Sequence, residues 1–259
     1  RFTFLKNNVQ LSQSEDKVGS QLSISQQWFN PSEDKTVSGY SLASQNTSDF
    51  EGIETIEYRF LKENVQLSRS VDNQSPLKTE VREYFKPDSS KATLTNYSLV
   101  NKQESNVDGI PTERYTFAKD NVLMSETERL VSSQLAIVQE VFNGVPSAPA
   151  GYSIALKETS EAVGLPTQRY TFLKDNAVLS ETEDKVGSQL SLVREVFNGT
   201  PSTPSGYSIA NEQVSNVDGI PTRRFTFLKN NVTLSETEDK VGSQLAIVKE
   251  VFNGTPSTP

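Results

Sequence analysis

The sequence predicts an all-β protein: a tandem array of small four-stranded antiparallel β-domains, with a repeat of about 55 residues, forming an elongated rod. Three observations carry that expectation. The first aromatic of an [FY]-[TR]-F motif recurs at Phe2, Tyr58, Tyr115, Tyr170 and Phe225, and the Phe closing "EVF" or its equivalent follows 27 residues later each time, at Phe29, Phe85, Phe142, Phe197 and Phe252. Between these landmarks apolar residues alternate with polar ones, the period of a half-buried strand. A hydrophobic fraction of 34% and a mean hydropathy of -0.51 suit several small cores better than one large one.

Each repeat reads as strands A to D. Strand A starts at the Tyr of "GYS" or "NYS" (Tyr40, Tyr97, Tyr152, Tyr207), and a Gly follows 12 residues on, at Gly52, Gly109, Gly164 and Gly219. A glycine recurring there implies positive φ at a hairpin turn into strand B, "RFTFL". The turns "KNN", "KEN" and "KDN" use Asn and Asp, which tolerate left-handed backbone, and predict a second hairpin from B into C, "NVTLSET". "DKVGS" then turns C into D, "QLAIVKEVF". Strand D is apolar at both parities, Leu245, Ile247 and Val251 against Ala246, Val248 and Phe252, which implies cover on both faces or a bulge.

Length varies only between the closing Phe and the next Tyr, where the steps are 11, 12, 10 and 10, so those segments are expected to be linkers and Tyr-to-Phe the domain. The expected divisions are 1–38, a partial repeat lacking its first strand, 39–95, a divergent repeat, and the repeats 96–150, 151–205 and 206–259. A start at Arg1, inside a repeat, reads as a processed or partial segment. A domain of this size is marginal alone. Strand D and the outer residues of B, Leu61, Leu173 and Leu228, are therefore expected to pack on the next domain or on other chains. The missing strand suggests either trimming or an edge filled by a strand from another chain.

A net charge of -8 with interspersed Lys and Arg argues against nucleic acid as a partner. No apolar run reaches the length of a membrane span, so no membrane insertion is expected. The chain has no Cys and no His. General acid–base work would fall to residues that all recur several times, so no enzyme, no catalytic, cofactor-binding or metal residues and no cofactor are expected. "SETED" (Ser180 to Asp184, Ser235 to Asp239) could offer carboxylates to Ca²⁺ but reads first as a solvated strand end. "SNVDGIP" (Ser105 to Pro111, Ser215 to Pro221) reads as a hairpin turn. Trp28, the sole Trp, reads as a packing residue. "NGTPSTP" (198 to 204, 253 to 259) reads as a semi-stiff spacer in which Asn198 and Asn253 also meet the N-x-[ST] glycosylation pattern.

The recurring "RYTFLKDN…LSETEDKVGSQL…EVFNGTPSTPSGYSI" resembles the near-identical β-repeats of phage virion fibres and of bacterial surface stalks and adhesins. The resemblance lies in organisation. It implies a structural protein, a repeat-built rod or filament subunit acting as spacer or assembly element, with an extracellular, cell-surface or virion location. The implied partners are further copies or neighbouring structural subunits. The alternative is a multivalent adhesin or carbohydrate-binding array that meets a glycan or host receptor. The divergent copy, Tyr40 to Phe85, with "SPLKTEVREYF" in place of "SQLAIVKEVF", is read as an adaptation to a different contact.

Overall fold

In a computed structural model, which describes residues 2–74 and 76–258, the chain is all-β and built of repeated small antiparallel sheets. It divides into two compact units, Arg1–Val122 and Leu123–Pro259.

The first unit holds two sheets. One contains β1 (Val9–Val18), β2 (Gln21–Phe29), β3 (Tyr40–Phe50) and β4 (Ile53–Lys62) in the order β1-β2-β4-β3. The other contains β5 (Val65–Gln74), β6 (Leu77–Phe85), β7 (Tyr97–Val107) and β8 (Ile110–Lys119) in the order β5-β6-β8-β7. The second unit repeats the plan. Its third sheet is made of β9 (Val122–Val131), β10 (Gln134–Phe142), β11 (Tyr152–Ala162) and β12 (Leu165–Lys174), and its fourth of β13 (Ala177–Val186), β14 (Gln189–Phe197), β15 (Tyr207–Val217) and β16 (Ile220–Lys229). A hairpin of β17 (Val232–Val241) and β18 (Gln244–Phe252) follows.

Strands A to D therefore exist with the expected A–B and C–D turns, but a four-stranded sheet is not one Tyr-to-Phe interval. Each combines the C–D hairpin of one repeat with the A–B hairpin of the next, so the sheets are offset from the sequence period by half a repeat. The expected B–C hairpin is absent: β4 and β5, like β12 and β13 or β16 and β17, lie in different sheets. The cause is local geometry. At the A–B turns both central residues take positive φ, as at Glu51 (52°) and Gly52 (82°) or Asp218 (51°) and Gly219 (83°), the twist that closes a two-residue hairpin. At the B–C links only the second residue, the Asn, does (Asn64 59°, Asn176 57°, Asn231 58°), whereas in the C–D hairpins the first does (Gly19 62°, Gly187 64°), and at the Asn links the chain leaves the sheet instead of folding back.

The presumed linkers are also reassigned. Residues 30–39 and their equivalents connect β2 to β3 past β4, inside one sheet, and they cover its aromatic face. Val37 packs with Ile24, Tyr58, Phe60 and Trp28, and in the second sheet Ala92 and Leu94 pack with Tyr84, Tyr115 and Phe117. The "NGTPSTP" at 198–204 belongs to such a crossover, with Pro201 buried. Under the crossovers the B-strand aromatics stack in pairs: Tyr58 on Phe60 at 6.2 Å, Tyr170 on Phe172 at 6.4 Å, Phe225 on Phe227 at 6.3 Å. Length can vary here because a crossover spans a face without entering the ladder.

In the four-stranded sheets strand D (β2, β6, β10, β14) is an interior strand paired on both edges. The bulges lie instead in the edge strands C and A, where the ladder skips Leu67, Leu179 and Leu234 in C and Ala43, Ala155 and Ala210 in A. Bulges and charge on edge strands oppose stray strand pairing.

Candidate functional surfaces

Three surfaces recur along the chain: the ends where consecutive sheets meet, a polar stripe across each sheet, and the sheet edges.

The end contacts are apolar and closed. In the first unit Leu61, at the end of β4, packs with Phe85 and Ile110 of the second sheet, with Val18, Ala43 and Leu67 around them. In the second unit Val131, Ala136 and Leu173 of the third sheet meet Ala177, Leu179, Phe197 and Ile220 of the fourth. Leu61 and Leu173 are fully buried. Of the two destinations expected for the outer Leu row, Leu61 and Leu173 take the next sheet. The bulges serve the same contact. By displacing Leu67 and Leu179 from the ladder they place these side chains in the shared core, and they leave carbonyls that serines of the preceding C–D turn reach: Ser20 Oγ donates to Gln66 O (3.4 Å), Ser133 Oγ to Leu179 O (3.0 Å) and Ser188 Oγ to Leu234 O (3.4 Å).

The link between sheets has two residues and no slack. Asp175 N donates to Gly151 O (2.9 Å) behind it and Asn176 N to Asn198 O (3.4 Å) ahead of it; Asn230 N and Asn231 N repeat this with Gly206 O (2.8 Å) and Phe252 O (2.9 Å). Side chains lock the same point. Asn198 Nδ2 donates to Ser153 Oγ (3.0 Å) and Asp175 Oδ1 (2.6 Å), and Asn253 Nδ2 to Asn230 Oδ1 (2.8 Å). Hydrogen bonds from Ser153 and then Asn198 hold the Asp175 carboxyl below its usual range. The two Asn of the glycosylation pattern thus spend their amide nitrogens on the joint between sheets.

On the face opposite the aromatic pairs a carboxylate of strand D accepts from serines of strands C and A. Glu195 accepts from Ser180 (3.1 Å) and Ser215 (2.7 Å), and Glu140 from Ser125 (3.1 Å) and Ser160 (2.8 Å). Gln27 takes this place in the first sheet, accepting from Ser12 (3.1 Å) and donating to Ser48 (3.3 Å). The stripe ties strands C, D and A together and was not foreseen; its sequence signal is a Ser directly after the C-strand leucine, as at Ser180 and Ser235, with a Ser in strand A, as at Ser160 and Ser215.

The divergent copy differs on its aromatic face. Arg69 of β5 stands opposite Arg82 of β6, and Glu80 lies between them, accepting from Arg69 Nε (2.8 Å) and Nη2 (3.0 Å) and from Arg82 Nε (2.6 Å). Its side chain is 5% exposed, and these bonds, that from Arg69 foremost, hold its pKa at about 2. This cluster lies within the second sheet.

The other candidate residues have local roles. The "SETED" runs lie in β13 and β17, where Glu181 pairs with Arg194 and Glu236 with Lys249 (3.3 Å). Among the described residues no group of three acidic side chains is placed to hold a metal. "SNVDGIP" forms the A–B turn, with Asn106 Oδ1 accepting from Gly109 N (2.7 Å) and Asn216 Oδ1 from Gly219 N (2.8 Å). Trp28 packs on the first aromatic cluster, donates to Gln26 Oε1 (3.0 Å) and lies 4.2 Å under the Lys35 ammonium. No described helix is long and apolar enough to cross a membrane.

Compared with known proteins, the chain matches no family model, no curated protein and no solved structure.

Proposed function

We propose that the chain is a structural protein, a repeat-built β rod or filament subunit of a virion or cell surface that acts as spacer and assembly element. The observation that carries the reading is the half-repeat offset. Every complete sheet takes one hairpin from each of two successive repeats, so neighbouring sheets in a unit are joined by a two-residue link, a buried apolar contact and a side-chain lock. Such a chain cannot lengthen by paying out linker, and each added repeat contributes a fixed step. That suits a part whose task is to hold a distance. The repeated residues serve packing, turns and joints, and the stacked aromatics face inward under the crossovers.

Solution X-ray scattering on a length series tests this. Deleting residues 152–206 joins Gly151 to Tyr207 in phase and removes one repeat; duplicating the same segment adds one. The expected result is a maximum dimension that falls or rises by one constant increment while the cross-sectional radius stays the same. A dimension that scales as for a compact globule, with the cross-section changing instead, overturns the reading.

A further inference from the structure

The joint between the third and fourth sheets is held by an asparagine amide. Asn198, just past the end of β14, takes φ 46° and reaches across the joint, donating from Nδ2 to Ser153 Oγ (3.0 Å) and Asp175 Oδ1 (2.6 Å). The next residue is Gly199, where an added Cβ would run into the side chain of Asn176. At this joint packing thus asks for a residue without a side chain directly after the locking amide. Asn followed by Gly is also the pair in which a main-chain nitrogen reaches the preceding side-chain carbonyl with least hindrance.

Two equivalent joints differ from this one in chemistry. In the first unit Lys86 and Pro87 occupy the corresponding places, so that joint holds neither a side-chain amide to lose nor a main-chain N–H to attack it. At the next link of the second unit Asn253–Gly254 repeats the pair, and a Cβ on Gly254 is blocked by Asn231. Its amide, however, meets Asn230 Oδ1 (2.8 Å) and not a carboxylate. Of these three joints, that at Asn198 alone sets a side-chain amide against an acid.

We infer that Asn198–Gly199 is a self-modifying latch, a deamidation site whose reaction records opening of this joint and prevents its reclosure. The main-chain nitrogen of Gly199 attacks Asn198 Cγ. The new N–Cγ bond forms as Cγ–Nδ2 breaks, and the side-chain nitrogen leaves as ammonia with the Gly199 amide proton. One water then opens the resulting succinimide, at either carbonyl, to aspartate or isoaspartate. Water is the only co-reactant. While the joint is closed, the two hydrogen bonds hold Nδ2 against Ser153 and Asp175 and keep Cγ from turning to Gly199. When it opens, the amide is free to react, and local opening sets the rate. Aspartate places a second carboxylate against Asp175 where a donor stood, and like charges that close exclude one another. Isoaspartate also reroutes the main chain through the side chain, taking the carbonyl that accepts from Asn176 N (3.4 Å) out of the backbone. Conversion of Asn253 to aspartate leaves its contact intact, because Asn230 can turn its own Nδ2 to the new carboxylate.

The test keeps the full chain in mildly alkaline buffer, natively and in urea, and maps its peptides by mass for aspartate and isoaspartate at position 198. Native conversion is expected at a rate roughly tenfold or more below that in urea, and Leu173→Ala, which loosens the same joint, is expected to close most of that gap. Amide exchange reads the consequence. Asn198→Asp is expected to lose protection in β12 and in β13–β14 together, whereas Asn253→Asp keeps wild-type protection in β16 and β17. No native conversion at 198, native conversion as fast as in urea, or a rate indifferent to Leu173→Ala overturns the latch. So does wild-type protection in Asn198→Asp, or an equal loss in both Asp variants. The length series is read separately by scattering, so failure of the latch leaves the spacer reading standing.

Discussion

Glu80 shows how one residue can rescue a pairing that the rest of its sheet forbids. Arg69 and Arg82 are directly opposed, and like charges facing across a ladder destabilise it. Glu80, buried between them, turns the repulsion into two charge-assisted contacts. Its folded-state pKa of about 2 lies below the ordinary 4.5, so the stabilisation is complete above the ordinary value and is lost as pH falls from there toward 2. Glu80→Gln is expected to destabilise the second sheet at pH 7 by on the order of 2–3 kcal/mol, given that Arg69 is half exposed, and to remove that part of the acid sensitivity. Hydrogen exchange of β5 and β6 amides across pH 2–6 checks both: the wild-type sheet weakens with acid, and the variant is weak throughout and flatter. A variant with wild-type protection at pH 7 contradicts the role assigned to Glu80.

Strands and turns were legible wherever the information is local. The A–B turn was readable from Gly52 and its equivalents because the turn has positive φ at both central positions, and a Gly behind Glu51, Asp108 or Asp218 supplies the second at no steric cost. The partner of strand B was not readable from alternation, which states that a residue faces a core but not which core. The signal lay in the links: "KEN" and "KDN" offer one left-handed residue and no Gly, chemistry that suits an exit from the sheet. The bulges escaped because skipping Leu179 or Ala155 changes which face a side chain meets without changing composition. The two faces of strand B make different demands, and that difference can be measured. Leu173→Ala removes a side chain shared by the third and fourth sheets and is expected to cost about 2–5 kcal/mol, with amide protection lost in β12 and in β13–β14 together. Phe172→Ala, on the aromatic face of the third sheet, is expected to cost a similar amount but to expose only that sheet. Losses confined to one sheet in both variants would contradict a shared core at the joint.

Among the described residues, no four-stranded sheet belongs to a single repeat. The sequence period and the folding period have the same length and different phase, and it is the phase that couples neighbours: a chain of self-contained domains on linkers would share neither hairpins nor cores. The proposed spacer role rests on this phase. The most direct measurement is strand pairing in the full cysteine-free chain. A Glu140→Cys/Arg169→Cys double variant joins strand D of one repeat to strand B of the next, positions paired across β10 and β12. An Arg169→Cys/Thr182→Cys variant instead spans the two strands flanking the Asp175–Asn176 link, the hairpin that a Tyr-to-Phe domain would contain. Under mild oxidation at high dilution the first pair is expected to close an intramolecular disulfide and the second to remain reduced. Closure of the second pair with the first left open would contradict the half-repeat assembly of the sheets.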